Sequence, residues 1–174
     1  SDMTCLVTRR SELVFTPDTR VRLVLLDEEQ GSADLPAGNP DAETTAKDIA
    51  FVVYTSGSTG PPNGVMGTHA AMMNRFHWMY RRYPFRAGEV ASQRTPLSFI
   101  DSLWETFGPL CAGVPTCIIP DAVSTDPDRL IALLALHSVT RLVLVPSLLD
   151  ALLNARPDLP SRIPTLTHWT LSGE

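Results

Sequence analysis

Residues 49–65 read IAFVVYTSGSTGPPNGV, an apolar run followed by a loop of glycine, serine, threonine and proline. The apolar half predicts a buried strand, because Val, Ile, Phe and Tyr favour extended structure. The loop suits a polyphosphate, since glycines let backbone N–H groups approach closely and hydroxyls donate further hydrogen bonds. It matches neither the Walker A pattern nor the dinucleotide-binding GxGxxG fingerprint. The same composition is typical of an ordinary surface turn, and composition alone does not separate the two.

Strands and helices alternate outside this stretch. Four helical patterns are predicted: one after the N-cap Thr68, one over Ser102–Ala112, one from Asp126-Pro127, and one after Pro146 that stops near Pro157. Parallel neighbours need crossover connections, so the alternation predicts an α/β fold, a mainly parallel sheet flanked by helices. The polar segment 31–48 is predicted to be a surface loop or linker. The remaining predicted strands are residues 21–26, 115–119, 141–145 and 166–171.

Composition excludes several classes of partner. The 174-residue chain has a net charge of −5 and no cluster of Lys and Arg, which argues against nucleic-acid binding. No apolar run approaches the roughly 20 residues of a membrane helix, so no membrane partner is expected. Cys5, Cys111 and Cys117 are odd in number and lack CxxC spacing, which argues against a disulfide framework or a zinc site. A cytoplasmic location is the expectation.

The order of residues 54–65, YTSGSTGPPNGV, resembles the phosphate-binding signature of the adenylate-forming superfamily. That superfamily includes acyl-CoA synthetases, luciferases and nonribosomal peptide synthetase adenylation domains. Residues 68–79, 99–113 and 171–174 resemble further segments of the same domains, in the same order, and their tryptophans are most similar to the peptide synthetase branch. The resemblance implies that residues 5–174 are a partial AMP-binding domain truncated at both ends, preceded by a lead-in or cloning scar at residues 1–4.

The resemblance also implies a function. The enzyme would use ATP and Mg²⁺ to activate a carboxylic or amino acid as its acyl-AMP, for thioester transfer to a carrier protein. The chain alone is expected to be inactive, because the family's later signatures are absent from it, and self-association through unpaired sheet edges is a further expectation. The alternative is a noncatalytic binding or interaction module of the same fold. No catalytic residue or metal ligand is assigned, and the implied phosphate-binding residues are Thr55, Ser56, Gly57, Ser58, Thr59, Gly60 and Asn63.

Asn63 departs from the family pattern, which has lysine in Pro-Lys-Gly-Val. Asparagine can donate a hydrogen bond to a phosphate but brings no positive charge. This difference puts the efficiency of adenylation in doubt. The alternative is that Asn63 is an engineered or naturally tolerated change in the loop.

The predicted substrate-binding residues are Ile100, Asp101 and Trp104, and here the sequence departs from the family again. Amino-acid-activating members read Phe-Asp-x-Ser and pair that aspartate with the α-ammonium group, whereas this chain reads Phe-Ile-Asp-Ser over residues 99–102. A one-residue shift moves a side chain by about 100° around a helix. Our hypothesis is that Asp101 receives a displaced amine, as in the β-alanine of Ebony-like synthetases. The alternative is that Asp101 caps the following helix and Ile100 lines an apolar pocket for an acid without an amine.

Overall fold

The computed structural model describes residues 3–14, 20–28, 38–55 and 60–173, and the chain forms two compact units, Ser1–Glu43 and Thr44–Glu174. The first unit contains two parallel strands, β1 (Cys5–Thr8) and β2 (Arg22–Leu25), with Cys5 opposite Arg22. A short 3₁₀ helix, Arg10–Glu12, follows β1, and the backbone N–H of Arg10 donates to the Asp27 carboxylate at 2.9 Å. The strand predicted over residues 21–26 is present. Residues 31–37 of the predicted linker lie outside the described residues.

The second unit begins with an antiparallel hairpin of β3 (Ile49–Thr55) and β4 (Asn63–Thr68). β3 is the predicted strand. β4 was missed, because the sequence between the loop and Thr68 contains Gly64 and Gly67, and glycine is depleted in strands. The hairpin is thus an antiparallel element in a fold that was expected to be mainly parallel.

The other strands of the second unit pair in parallel. β5 (Ala91–Gln93) pairs with β6 (Thr116–Ile118), and β7 (Arg141–Leu144) pairs with β8 (His168–Leu171). Hydrogen bonds join the two pairs: Thr140 N donates to Val90 O at 2.8 Å and Ser92 Oγ donates to Arg141 O at 2.9 Å. The prediction of parallel strands connected through helices is confirmed for this part of the molecule.

The four predicted helices begin within one residue of the predicted positions, and two short helices, Asp121–Ser124 and Leu159–Arg162, were not predicted. Thr68 accepts a hydrogen bond from Ala71 N at 3.2 Å, and Asp126 accepts from Asp128 N and Arg129 N, so both act as N-caps. Among the described residues, none of the helices is both long and apolar enough to span a membrane. The helices are α1 (His69–Arg82), α2 (Asp101–Cys111), α3 (Asp121–Ser124), α4 (Pro127–Leu136), α5 (Pro146–Ala155) and α6 (Leu159–Arg162).

Two apolar clusters hold the second unit together. The larger joins β7 to α4, α5 and α6 through fully buried leucines such as Leu130, Leu142 and Leu152. The smaller joins α1 and α2 to β7, where the rings of Phe76 and Trp104 meet edge to face with centroids 5.3 Å apart. Because this second cluster fixes α2 against α1, it also fixes where the first residues of α2 lie.

Candidate functional site

The ends of the predicted phosphate loop face each other across the β3–β4 hairpin. Thr55 closes β3 and Asn63 opens β4 directly opposite it, with the Thr55 hydroxyl 3.5 Å from the Asn63 carbonyl oxygen. Gly60 and Asn63 are exposed, and a Cβ atom added at Gly60 would meet no described residue within 4 Å. Ser56, Gly57, Ser58 and Thr59 lie outside the described residues. The described flanks therefore leave hydroxyl and amide groups open to solvent, and phosphate binding stays a prediction.

Asp101 is the first residue of α2, and its carboxylate bonds to two other segments. Oδ1 accepts a hydrogen bond from Arg75 Nη2 at 2.5 Å, and Oδ2 accepts one from Ser172 Oγ at 2.5 Å. The Asp101 side chain is only 15% exposed, whereas that of Arg75 is 43% exposed. The N-cap position belongs to Ile100, which makes no side-chain capping bond. The contacts described for the Asp101 carboxylate thus join α2 to α1 and to the segment after β8.

A cavity of about 810 Å³ lies next to α2, and Asp101 itself does not line it. Its walls come from α1, α2, β5, β7 and β8. Arg75 and Ser172, the two partners of Asp101, both line it, and so does the predicted substrate residue Trp104. Its volume lies within the usual range for small-molecule sites.

A second cavity of about 190 Å³ lies between the hairpin and the two helices. Ile100 lines this cavity and not the larger one, while Arg75 and Trp104 line both. Asp101 lines neither of these two cavities, so the three predicted substrate residues are close in sequence but face different surroundings. The remaining residues of the small cavity are apolar: Phe51, Ala71, Met72, Phe76 and Leu103.

Glu105 has a structural role that the sequence did not reveal. It is 2% exposed, and its carboxylate accepts hydrogen bonds from Arg94 N at 2.5 Å and Thr95 N at 2.9 Å, together with one from the Thr95 hydroxyl. Burial raises the pKa of Glu105, and these hydrogen bonds oppose the rise. Its carboxylate oxygens bond to the chain just after β5, so we assign it to holding that segment against α2.

Arg141 forms a second polar network at the edge of the large cavity. Its guanidinium donates to Glu89 Oε2 at 2.6 Å and to the carbonyl oxygens of Tyr83 and Pro84, and it lies 4.3 Å from the ring centroid of Phe85. Burial raises the pKa of Glu89, but the bond to Arg141 and its charge outweigh burial and lower it. The partners are about 50 residues apart in sequence, so no local pattern indicated this network.

The family model for AMP-binding enzymes matches residues 3–174. The chain belongs to this family. The predicted resemblance to adenylate-forming enzymes is thereby confirmed. Two relatives of this AMP-binding chain are synthetases by name. The chain is 48% identical over 106 residues to the beta-alanyl-bioamine nonribosomal peptide synthetase ebony of Drosophila melanogaster, covering 60% of this chain and 12% of ebony.

The second relative is the vanchrobactin synthetase VabF of Vibrio anguillarum. It is 38% identical over 129 residues, which is 74% of this chain and 5% of VabF. The AMP-binding chain thus spans only a small part of either relative.

Solved structures confirm the α/β fold of this AMP-binding chain. The AMPPNP-bound form of the nonribosomal peptide synthetase FmoA3 superposes with a TM-score of 0.85 at 22% identity, over 98% of this chain and 18% of FmoA3. The Vibrio cholerae adenylation domain AlmE, in complex with glycyl-adenosine-5'-phosphate, gives a TM-score of 0.65 at 22% identity, over 84% of this chain and 27% of AlmE.

The described flanks of the loop in this AMP-binding chain carry polar groups of the kind that bind phosphate oxygens. Thr55 and Asn63 offer a hydroxyl and an amide at the mouth of the loop, both able to donate to phosphate oxygens. Over residues 3–14, 20–28, 38–55 and 60–173, no three His, Cys, Asp or Glu side chains are grouped to hold an ion.

Proposed function

We propose that this chain provides the phosphate loop and the amine-binding carboxylate of a site for ATP-dependent activation of an amino acid. In that reaction an oxygen of the substrate carboxylate attacks the α-phosphorus of ATP, the bond from that phosphorus to the pyrophosphate oxygen breaks, and acyl-AMP and pyrophosphate form. Such chemistry depends mainly on positioning and electrostatic stabilisation. Mg²⁺ would neutralise charge on the departing pyrophosphate.

The single observation that carries this proposal is the placement of Asp101. Its carboxylate is 15% exposed and is held by Arg75 and Ser172, which both line the 810 Å³ cavity, so it is a fixed acceptor one side chain away from that cavity. A burial of this degree costs free energy unless the charge is paired. Activation also requires a place for the phosphates of ATP. Thr55 and Asn63 lie in the same compact unit as Asp101 and leave the flanks of the predicted phosphate loop open to solvent.

The substrate class we propose is a β-amino acid such as β-alanine. Ile100 stands where an α-amino-acid-activating relative has its aspartate, and the carboxylate is one residue further along α2. The name of the ebony relative specifies a beta-alanyl product, which agrees with a displaced amine. The FmoA3 structure contains AMPPNP, which agrees with ATP as the nucleotide. Transfer of the acyl group to the thiol of a carrier protein, with release of AMP, is the next step we propose.

The test is ATP–pyrophosphate exchange, run on this chain and on the complete polypeptide that its gene encodes. β-Alanine should drive exchange better than alanine, whose amine is on the α-carbon, and better than butyrate, which replaces the amine by a methyl group. Asp101→Asn should reduce kcat/KM for β-alanine by about 100-fold, because losing one partner of a mostly buried charge pair costs several kcal/mol. Activity with butyrate should not change.

Asp121→Asn is the matched control, since Asp121 is also the first residue of a helix but is exposed. It should leave the rates of exchange with β-alanine, alanine and butyrate unchanged. Equal exchange with β-alanine and butyrate would contradict an amine site at Asp101. Absence of exchange with any of the three acids in the complete polypeptide would contradict β-amino-acid activation and favour the noncatalytic module.

A further inference from the structure

Arg75 places a positive charge on the carboxylate that we assign to the substrate amine. It approaches from α1, 26 residues earlier in the chain, and makes a single contact from Nη2 to Asp101 Oδ1. It also lines both cavities, so it lies at the point where they approach each other. Asp101 does not itself line the large cavity, so a ligand ammonium in that cavity meets the Arg75 guanidinium before it can reach the carboxylate.

The two partners differ in how easily they can move. Asp101 is mostly covered and is held from its other side by Ser172, whereas almost half of the Arg75 side chain is exposed. Arg75 uses one nitrogen and not the bidentate geometry that makes arginine–carboxylate pairs strong. Water can solvate the guanidinium when it leaves, while the carboxylate stays in place. An exchange of cations on Asp101 thus requires only a rotation of the Arg75 side chain.

We propose that Arg75 is an internal counter-ion of the amine subsite and sets its selectivity. With the site empty, Arg75 neutralises Asp101 and spares the protein an unpaired, mostly buried carboxylate. When a substrate ammonium binds, Arg75 turns to solvent and the ammonium takes its place. Only the fraction of molecules in which Arg75 has left binds the amine, so the apparent affinity is lower than the intrinsic one. This inference rests on the proposed role of Asp101.

Unfolding of the chain by urea tests the ion pair without any substrate. Arg75→Met, Asp101→Asn and the double variant form a cycle at pH 7. The single variants should each lower the urea concentration at which half of the chain is unfolded. The double variant should lower it by less than the sum of the two single effects, because each single variant already breaks the same ion pair. Arg81→Met, an exposed arginine on the same helix, should give no coupling with Asp101→Asn. An additive double variant would overturn the pairing.

Binding to the chain tests the competition, with the indole N–H signals of Trp104 and Trp169 followed by NMR as β-alanine or butyrate is added. Arg75→Met should tighten the Kd for β-alanine about fivefold, as expected if the pair is formed in most molecules. Arg75→Lys, which keeps the charge, should stay near the original Kd. The Kd for butyrate should be the same in all three proteins, and Asp101→Asn should remove the effect of Arg75→Met.

A merely structural role for Arg75 predicts the opposite pattern, in which Arg75→Met weakens both ligands alike. Three results would each overturn the proposal: weaker binding of both ligands by Arg75→Met, an unchanged Kd for β-alanine, and no binding of β-alanine to either protein. The exchange assay above is independent of this titration. If Arg75 and the amine compete for Asp101 but no ATP–pyrophosphate exchange occurs, then Arg75 and Asp101 act as inferred in a protein that binds the amine but does not activate the acid.

Discussion

Asn63 is the residue at which charge is missing from the predicted phosphate loop. It is exposed at the start of β4, opposite Thr55, so a longer side chain at this position would extend into solvent without disturbing a packed core. A lysine there would add a positive charge next to the loop. Such a charge is partly screened by water and salt, which limits its contribution.

We expect Asn63→Lys to tighten ATP binding by the chain by roughly threefold to tenfold, the range of about one exposed charge-assisted contact. Isothermal titration calorimetry with Mg²⁺ at low and high salt is the measurement. Asn63→Gln, which lengthens the side chain without charge, is the control and should not tighten binding. The gain should shrink as salt rises; a gain independent of salt would argue that the new side chain acts through packing instead.

The β3–β4 hairpin depends on a close approach between an aromatic ring and a glycine. Phe51 lies opposite Gly67, and a Cβ added at Gly67 would be 2.0 Å from the Phe51 ring. Phe51 also lines the small cavity. A glycine opposite an aromatic residue lets the ring cover the backbone of the neighbouring strand. The hairpin thus packs its inner face on the helices through a ring that needs this glycine.

Gly67→Ala should therefore destabilise the chain by about 1–3 kcal/mol, the usual cost of adding a methyl group to a packed site. Gly64→Ala is the control on the same strand, because its added Cβ would be 3.3 Å from a Val52 methyl group on an exposed part of the hairpin. It should change the free energy of unfolding by less than about 0.5 kcal/mol. Urea unfolding measures both. Similar costs for the two variants would refute the special role of the Phe51–Gly67 contact.

At the scale of the whole molecule, the charges beside the large cavity link stability to pH. Burial lowers the pKa of His168 below its ordinary value of 6.5, and the charge of Arg141 lowers it further against the opposing effect of Glu89. The pKa of Glu89 is also lowered, from 4.5. Both groups take up protons more readily in the unfolded chain than in the folded one. Each therefore contributes stability that is present above its unfolded pKa and is lost as the pH falls towards its folded pKa.

We expect the free energy of unfolding to fall below pH 6.5 through His168 and to fall further below pH 4.5 through Glu89. Glu105 acts in the opposite sense, because its pKa is raised and its contribution diminishes as the pH rises above 4.5. Urea unfolding at pH 7, 6 and 5 should show that the free energy of unfolding depends less steeply on pH in His168→Gln than in the parent. His137→Gln, at an exposed histidine after α4, is the control. Identical slopes in the parent and His168→Gln would exclude His168 as the source.

The sequence by itself determined the features that depend on neighbouring residues. The apolar runs gave most of the strands, and Thr68 and Asp126 fixed the starts of α1 and α4, because a cap bonds to N–H groups two or three residues away. The order of residues 54–65, together with residues 68–79, 99–113 and 171–174, predicted the family. Strand β4 was not predicted from the sequence, because Gly64 and Gly67 are typical of loops. Only the structure shows that Gly67 pairs with Phe51 on the neighbouring strand.

Only the tertiary structure decided what surrounds the predicted substrate residue. Asp101 could be read from the chain, but its partners Arg75 and Ser172 come from 26 residues before it and 71 residues after it. The contacts of Glu105 with residues 94 and 95, and of Arg141 with Glu89, likewise cross between elements. Periodicity indicates which face of an element is buried, and capping residues indicate where a helix begins. They carry no information on which side chain of a distant element meets it, because packing of the helices on the sheet sets those distances.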